Sequence, residues 1–415
     1  MEWKEVRLGD IVEIVNGFAF KSKAFTLDGI PVIKIKNIKA GKVILNDLDY
    51  ISTSDINPKY TKIRSSDILI TMTGNRMDGS PETWVGKVSL FRHQGDFYLN
   101  QRVSALRLID DSVDNNFLSY YLSSWQSQLY FALNSNSSGG QANITPAVVN
   151  EYRLTVPELE TQRCIASILS SLDRKIELNN KINADLEEMA QAIFKNWFVD
   201  FEPFKDGKFV DSELGMIPEG WKVGRADDFY QINIGKTPPR KEHIWFSTNP
   251  ADKIWVSIAN MGNSGIFISD SSEYLTKEAV DRHNIIMVPR NTILLSFKLT
   301  VGRVAIADKE LTTNEAIARF ILSDDKYMEY LYLYLKKYDY NSLGSTSSIA
   351  TAVNSKTIKG MQMLQPSDKI IDAFHIQVNP IFEKIRSLTK ENSRLSLLRD
   401  TLLPRLMSGE LEVPE

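Results

Sequence analysis

The sequence has little of the chemistry that disulfide frameworks and metal centres require. It contains a single cysteine, Cys164, which rules out an internal disulfide and fits a reducing, cytoplasmic environment. Zinc sites need clustered ligands. Four isolated histidines are present: His93, His243, His283 and His375. We therefore expect no metal centre in this chain.

Long apolar runs are lacking as well. No segment approaches the roughly 18 apolar residues of a spanning helix, and residues 1–5 carry no apolar signal region. The hydrophobic content of 43% is ordinary for a globular protein. We expect neither a membrane nor a secreted protein, and 415 residues allow two to four domains with cores.

A surplus of positive charge is missing, since the formal net charge is −3. Residues 1–157 carry 17 basic and 16 acidic side chains, residues 205–367 carry 20 and 19, and residues 158–204 carry 5 and 9. Near-neutral segments can still present a basic face. The run Lys34, Lys36, Lys39 and Lys42 would supply such a face, or it is simply a solvated strand face.

Catalytic motifs are incomplete. The sequence NPKY at residues 57–60 departs from the Asn-Pro-Pro-Tyr segment of base methyltransferases at Lys59. GKT at residues 235–237 resembles the end of a phosphate-binding loop, but Tyr230 replaces the required glycine and two prolines follow. No Ser/His/Asp or Cys/His set is evident. The sequence predicts a protein that binds rather than catalyses.

The most informative feature that is present is an internal repeat. Residues 3–17 and 221–235 share six identities in fifteen positions, including Trp3 with Trp221 and Gly17 with Gly235. Roughly one identity is expected by chance. The alignment continues with residues 33–37 on 256–260, 67–71 on 292–296, 85–88 on 301–304, and Asn100 on Asn314. A repeat of this length predicts two related lobes that perform one function twice.

Each lobe is predicted to be α+β. Short runs rich in Ile, Val and Thr, such as residues 68–72 and 103–106, favour strands, and residues 116–130 favour one helix. Residues 203–220 contain three glycines and two prolines and are typical of a linker.

A long helical tract follows each lobe. Residues 158–197 contain no Gly or Pro, and apolar residues up to Met189 and Ile193 recur at alternating spacings of three and four. This spacing is typical of a coiled-coil seam. Residues 369–407 repeat the pattern, although Pro380 and Pro404 favour kinks or local breaks. Forty helical residues span about 60 Å, so we interpret the tracts as spacers.

One polar residue interrupts each seam, Asn179 in the first tract and Asn392 in the second. If the tracts form an antiparallel coiled coil, the two amides lie close together and fix its register. The alternative is that both face solvent. An aromatic group at the end of the first tract would pack against the second lobe or dock another protein; it comprises Phe194, Trp197, Phe198 and Phe201.

The order of lobe, helix, linker, lobe and helix resembles the specificity subunit of type I restriction-modification systems over essentially the whole chain. The most specific stretches are VPELETQ at residues 156–162, WFVDFEP at 197–203 and LGMIPEGW at 214–221, with GKTP at 235–238 and IWVS at 254–257. The resemblance implies target recognition domain 1 at residues 1–157, a central helical spacer at 158–204, a linker and target recognition domain 2 at 205–367, and a C-terminal helical spacer at 368–415.

The resemblance also implies a non-catalytic reader of double-stranded DNA. Each domain would recognise one half of a bipartite, asymmetric target, and the helices would set the gap. Two modification subunits would dock on the helices and bring S-adenosylmethionine, and restriction subunits would join them. No cofactor is expected on this chain itself. The alternative is a two-lobed coiled-coil scaffold that binds proteins or glycans.

Candidate base-reading residues follow from side-chain chemistry, because Arg and Lys favour guanine and Asn and Gln favour adenine. The first-lobe candidates are Thr73, Asn75, Arg76, Gln101, Arg102, Gln141 and Asn143. The second-lobe candidates are Lys236, Thr237, Arg240, Lys241, Lys298, Ser347 and Asn354. For each of them the alternative is a turn-forming residue or a phosphate contact.

Overall fold

A computed structural model describes residues 3–77, 80–138, 140–343 and 353–413. The chain forms two compact units, unit 1 from Met1–Ile176 with Arg394–Glu415, and unit 2 from Glu177–Ser393. Each unit contains one β-rich lobe and a part of both long helices. The predicted α+β class, with two lobes and two long helices, is confirmed.

The first lobe consists of short strands and helices that lead into one long helix. The strands are β1 (Lys4–Arg7), β2 (Val12–Asn16), β3 (Phe25–Thr26), β4 (Ile30–Ile33), β5 (Ile38–Lys39), β6 (Lys42–Val43), β7 (Asp49–Ile51), β8 (Ile68–Thr71), β9 (Thr73–Gly74), β10 (Val88–Leu90), β11 (Tyr98–Leu99), β12 (Val103–Leu108), β13 (Asn136–Ser138), β14 (Gln141–Asn143) and β15 (Arg153–Val156). The helices are α1 (Leu8–Ile11), α2 (Asn115–Leu122), α3 (Trp125–Leu133), α4 (Pro146–Asn150) and α5 (Leu159–Phe198).

The second lobe repeats this plan. Its strands, with those of the preceding linker, are β16 (Phe209–Val210), β17 (Ile217–Pro218), β18 (Lys222–Arg225), β19 (Gln231–Ile234), β20 (Phe246–Ser247), β21 (Lys253–Val256), β22 (Phe267–Ile268), β23 (Tyr274–Leu275), β24 (Ile293–Ser296), β25 (Val304–Ala307), β26 (Thr312–Thr313), β27 (Ile317–Ile321) and β28 (Gln362–Gln365). Its helices are α6 (Ala226–Phe229), α7 (Ile258–Asn263), α8 (Lys277–Arg282), α9 (Met328–Lys337), α10 (Ser355–Lys359) and α11 (Asp368–Met407).

The sheets of the two lobes correspond. The first lobe contains the four-stranded sheets β10-β8-β12-β2 and β11-β4-β7-β3 and the three-stranded sheet β13-β14-β9. The second lobe has β19-β27-β24-β25-β22 and β20-β23-β21-β26. The central strands β8 and β24 are buried at every position, as expected for strands covered on both faces.

The internal repeat is visible in individual backbone hydrogen bonds. The N–H of Gly17 donates to Val103 at 3.2 Å, and that of Gly235 donates to Ile317 at 3.0 Å. The two glycines have no room for a side chain, because a Cβ would lie 2.1 Å from the Asn100 carbonyl oxygen or 1.9 Å from that of its counterpart in the second lobe. The repeated glycine therefore reflects a close backbone crossing in each lobe.

The long helices contact each other within each unit, and in unit 2 they are antiparallel. In unit 1, Arg399 of α11 donates to Asp173 of α5 at 2.8 Å. In unit 2, the Phe194 ring of α5 lies 6.3 Å from the Phe374 ring of α11. Also in unit 2, Asn179 of α5 contacts Asn392 of α11, so residue numbers rise along α5 while those of the facing α11 residues fall, which is the predicted antiparallel direction.

The start of α5 is fixed to the first lobe by Gln162, the last residue of the VPELETQ stretch. Its side chain is 1% exposed. The amide oxygen accepts from the Asp114 backbone N–H at 2.8 Å, and the amide nitrogen donates to the Pro157 carbonyl at 2.8 Å. The motif therefore has a structural role, because it holds the long helix to the lobe that precedes it.

Three predictions about the helices need correction. Of the kinks or local breaks predicted at Pro380 and Pro404, the breaks are wrong, because α11 continues through both prolines. The single helix predicted over residues 116–130 is divided into α2 and α3, because Ser124 caps a new helix by accepting from Ser127 N–H. The seam position predicted for Met189 is wrong, because its side chain is 51% exposed. The buried residues nearby on α5 are Ala190 and Phe194, which face the second-lobe core.

Candidate nucleic-acid interface

The first-lobe candidates gather around the sheet β13-β14-β9. Strand β14 pairs with β9 in a register that sets Asn143 opposite Thr73. The Thr73 hydroxyl donates to the Asn143 amide oxygen at 2.8 Å, and Thr73 is 6% exposed. Because Thr73 is buried, this hydrogen bond stabilises the lobe.

Arg102 and Gln141 form a second pair in the same lobe. The Arg102 guanidinium donates to the Gln141 amide oxygen at 3.0 Å, and both residues are exposed. The side chains of Arg102 and Gln141, which carry donors and acceptors suited to guanine and adenine, therefore lie next to one another, and the exposed Gln101 precedes Arg102 in the chain.

The loop that follows β9 carries the remaining first-lobe candidates. The Asn75 backbone N–H donates to the Thr83 carbonyl at 2.9 Å, and its carbonyl accepts from Val85 N–H at 3.3 Å. The side chains of Asn75 and Arg76 are exposed. The backbone of this loop is thus anchored at its base while its side chains point to solvent.

In the second lobe, two of the cationic candidates already have partners. The Lys236 ammonium donates to the His283 carbonyl at 2.5 Å. The Arg240 guanidinium donates to both carboxylate oxygens of Glu273, at 2.7 and 3.0 Å. It also lies 4.4 Å from the Trp255 ring centroid. Arg240 is therefore held by a bidentate ion pair and by ring stacking, which leaves less of its binding capacity for a base.

Lys241 and Lys298 are exposed. Lys298 follows the buried Phe297, whose ring centroid lies 5.7 Å from the lysine ammonium. The next residue, Leu299, is 98% exposed and has a positive φ of 62°. This loop therefore presents a cation and a leucine side chain directly to solvent.

Asn354 and Ser347 complete the list of candidates. Asn354 is the N-cap of α10, and its amide oxygen accepts from the N–H groups of Lys356 and Thr357 at 2.9 and 3.0 Å. Capping occupies that oxygen and leaves the amide nitrogen as the group available for a base. Ser347 lies outside the described residues.

One charged residue near this surface was missing from the predicted set. Glu315 is exposed, and its carboxylate accepts a hydrogen bond from the Thr237 hydroxyl. Partial burial would raise the pKa of Glu315, but the Thr237 hydroxyl, its own backbone N–H and the charges of Lys298 and Arg240 hold it below its ordinary value. The sequence could have indicated Glu315, because the alignment of Asn100 with Asn314 also aligns Glu315 with the candidate Gln101.

The seam asparagines are brought together by the structure. The Asn179 amide donates to the Asn392 amide oxygen at 2.9 Å, and Asn179 is 0% exposed. The aromatic group at the end of α5 packs on the second-lobe core, with Phe198 and Tyr330 ring centroids 4.8 Å apart. Of the two roles left open for that group, packing against the second lobe is the one observed.

Within the described ranges, His, Cys, Asp and Glu side chains form no group of three or more that would hold a metal ion. In those same parts of the chain, every helix is too short or too polar to cross a lipid bilayer.

Known proteins match the chain over nearly its full length. The HindI type I restriction enzyme specificity subunit of Haemophilus influenzae is 29% identical, with 99% of this chain and 100% of the relative covered. The MjaIX specificity subunit of Methanocaldococcus jannaschii is 28% identical, with 100% and 94% covered.

A crystal structure of a type I restriction-modification S subunit from M. genitalium shares the fold with a TM-score of 0.56, at 15% identity, with 98% and 96% of the two chains covered. The type I restriction modification DNA specificity domain matches residues 1–188 and 218–375. The resemblance stated from the sequence is thereby confirmed. The chain belongs to the type I restriction modification DNA specificity domain family and is the non-catalytic DNA specificity subunit of a type I restriction-modification system.

Proposed function

We propose that each lobe reads one half of a bipartite, asymmetric target in double-stranded DNA, and that the two long helices determine the unread gap. The observation that supports this proposal is a repeated backbone frame carrying different exposed side chains. The exposed Gln101 of the first lobe corresponds to the exposed Glu315 of the second. A common frame would dock both lobes alike, whereas different side chains would select different bases.

The charge distribution is compatible with base reading. The net charge is only −3, so bulk electrostatic attraction to phosphates is modest. Specificity in this proposal comes from exposed polar groups such as Arg102 and Gln141 in the first lobe, and Lys298 in the second. Phosphate contacts from other lysines would fix the position of each lobe on the duplex.

The outer faces of the long helices would dock two modification subunits. Large apolar side chains are exposed there: Leu178 is 52% and Met189 51% exposed on α5, and Ile376 is 74% and Leu397 70% exposed on α11. Exposed apolar groups on rigid helices favour a protein partner. The modification subunits would supply S-adenosylmethionine, restriction subunits would join them, and the assembly would act on cytoplasmic DNA.

The proposal is tested by co-expressing the chain with a matching modification subunit and sequencing the methylated bases of the host DNA. We expect one bipartite motif with a fixed gap, and none when the modification subunit is expressed alone. A stable complex that methylates no motif would contradict the proposal and favour the two-lobed scaffold.

A lobe exchange provides the internal control. Replacing residues 1–157 by the corresponding lobe of a relative should change one half of the methylated motif and leave the other half and the gap unchanged. A change in both halves would contradict the assignment of one half-site to each lobe.

A further inference from the structure

Glu315 and Gln101 occupy equivalent places in the two lobes. The residue before each of them makes the same backbone contact, because Asn100 N–H donates to Ile33 at 3.0 Å and Asn314 N–H donates to Val256 at 2.9 Å. The following strands begin alike at Val103 and Ile317, whose N–H groups donate to those asparagine carbonyls. The position after the asparagine therefore projects from the same point of the frame in both lobes.

The residue beside this position also differs between the two lobes. In the second lobe the Thr237 hydroxyl donates to the Glu315 carboxylate. Phe18 N–H donates to the Leu99 carbonyl at 2.8 Å, and Lys236 N–H donates to the Thr313 carbonyl at 2.9 Å, so Phe18 and Lys236 are equivalent. The residues that follow them, Ala19 and Thr237, are therefore counterparts. The lobe with a carboxylate thus has a hydroxyl that orients it, and the lobe with the neutral Gln101 has none at that place.

A carboxylate on a DNA-facing surface restricts what it can contact. It accepts hydrogen bonds and cannot donate when ionised, and it repels phosphates. The donors that DNA offers in the major groove are the exocyclic amino groups, and for a glutamate the preferred one is N4 of cytosine. Partial burial acts to raise the pKa of Glu315, but the Thr237 hydroxyl and the charges of Lys298 and Arg240 hold it below its ordinary value, which favours the ionised carboxylate.

We infer that Glu315 is a base-reading residue of the second lobe that accepts a hydrogen bond from the amino group of a cytosine in that half-site. Thr237 is its positioning residue. The inference rests on the proposed function, since it needs the second lobe to read DNA. It makes the position after Asn100 and Asn314 an equivalent reading position in both lobes, with a neutral amide in one and a carboxylate in the other.

The test compares the methylated motifs of the wild type, Glu315→Ala and Glu310→Ala, each co-expressed with the modification subunit. Glu310 is an exposed glutamate of the same lobe and serves as the matched control. We expect Glu315→Ala to lower discrimination roughly tenfold at a single G·C pair of the second-lobe half-site. The first half-site, the gap and complex formation should be unchanged, and Glu310→Ala should retain the full motif.

Glu315→Gln tests whether the base accepted at this position changes in a predictable way. A glutamine amide can both donate and accept, so adenine should become acceptable at the same position. The reciprocal change, Gln101→Glu, should shift one position of the first-lobe half-site towards cytosine.

Several results would overturn the inference while leaving the proposed function intact. These are an unchanged motif for Glu315→Ala, a relaxation at an A·T pair, or tighter binding to every DNA sequence alike, which would indicate only lost repulsion of phosphate. If the wild type itself gives no bipartite motif, the proposed function fails first.

Discussion

Asn179 of α5 donates hydrogen bonds to the Asn392 amide oxygen at 2.9 Å and to the Glu391 carboxylate at 2.8 Å. Asn392 in turn donates to the Asn180 amide oxygen at 2.9 Å. These polar groups interrupt an otherwise apolar seam between antiparallel helices. A shift of one heptad would separate Asn179 from Asn392 and set Asn392 against Leu172 or Leu186, so this network favours a single register.

Replacement of Asn179 by leucine should destabilise unit 2. The substitution removes the donor to two acceptors, and we expect the free energy of unfolding to fall by about 1–3 kcal/mol. Urea denaturation of the full chain, followed by the helical circular dichroism signal, measures the loss. Asn196→Leu, at an exposed position of the same helix, should change stability by less than about 0.5 kcal/mol. Equal effects of the two substitutions would argue against a register role for Asn179.

The gap of the target should follow helix length. One heptad inserted between Ile176 and Glu177, with a second between Arg394 and Leu395, keeps the facing seam positions in register. Seven helical residues add about 10 Å, and DNA rises about 3.4 Å per base pair. The methylated motif should therefore gain about three base pairs in its gap, with both half-sequences retained. A gap of unchanged length would refute the spacer role of the helices.

A heptad inserted into α5 alone is the control for that experiment. It shifts the seam residues of α5 out of register with those of α11, because only one helix of the antiparallel pair is lengthened. Methylation should then be weak or lost. Efficient methylation with the original gap would mean that the inserted residues loop out of the helix.

The architecture could be predicted because its signals are long or repeated. The helix α5 shows its period over forty residues, and the alignment of Gly17 with Gly235 reports one backbone crossing made twice. The break between α2 and α3 was missed because Ser124, a common residue, acts as an N-cap only in that backbone context. The breaks predicted at the prolines of α11 do not occur, because packing of the helix overrides local propensity.

The candidate site was less accessible from sequence. Residue type alone suggested that Arg240 and Asn354 could contact bases, but it could not show that Glu273 pairs with the arginine or that the asparagine caps α10. The ion pair joins residues that are distant in the chain, and the cap depends on local backbone geometry. Residue type does not suggest Glu315 as a candidate, because DNA-binding surfaces are characteristically basic.

The buried lysine Lys87 predicts a pH dependence of stability in the first lobe. Lys87 is 5% exposed, and burial together with the charge of Lys39 lowers its pKa from 10.5 to about 8, against the opposing effect of Glu82. Between those pH values the unfolded chain holds the proton and the folded chain does not. The stabilising contribution of Lys87 is therefore present above pH 10.5 and lost as the pH falls through about 8.

Lys87→Met should accordingly be more stable than the wild type near pH 7, by about 1–3 kcal/mol, because the cost of a buried charge is removed. The difference should shrink as the pH rises towards 10. Urea denaturation at pH 7, 8.5 and 10 provides the measurement. The control Lys42→Met, at an exposed position of β6, should show a small difference that is the same at all three values. A constant difference for Lys87→Met would contradict the argument.

Arg319 should be essential to the second lobe although the first lobe has no equivalent. It is 1% exposed on β27, and its guanidinium donates to the carbonyls of Ile286 and Ile234 at 2.9 and 2.7 Å. Burial lowers its pKa to about 10, so it remains charged at neutral pH. The strand registers with β8 and β24 set the small, fully buried Ala105 at the corresponding position of the first lobe.

Arg319→Met removes the donors to two buried carbonyls, and we expect it to lower the free energy of unfolding by about 2–4 kcal/mol. Hydrogen exchange should report faster opening of β27 and β24, while β8 and β12 of the first lobe keep their protection. In the methylation assay, recognition of the second half-site should weaken and that of the first should persist. Arg282→Met, at an exposed position on α8, should have little effect on either readout. Equal loss of protection in both lobes would show that Arg319 does not act locally.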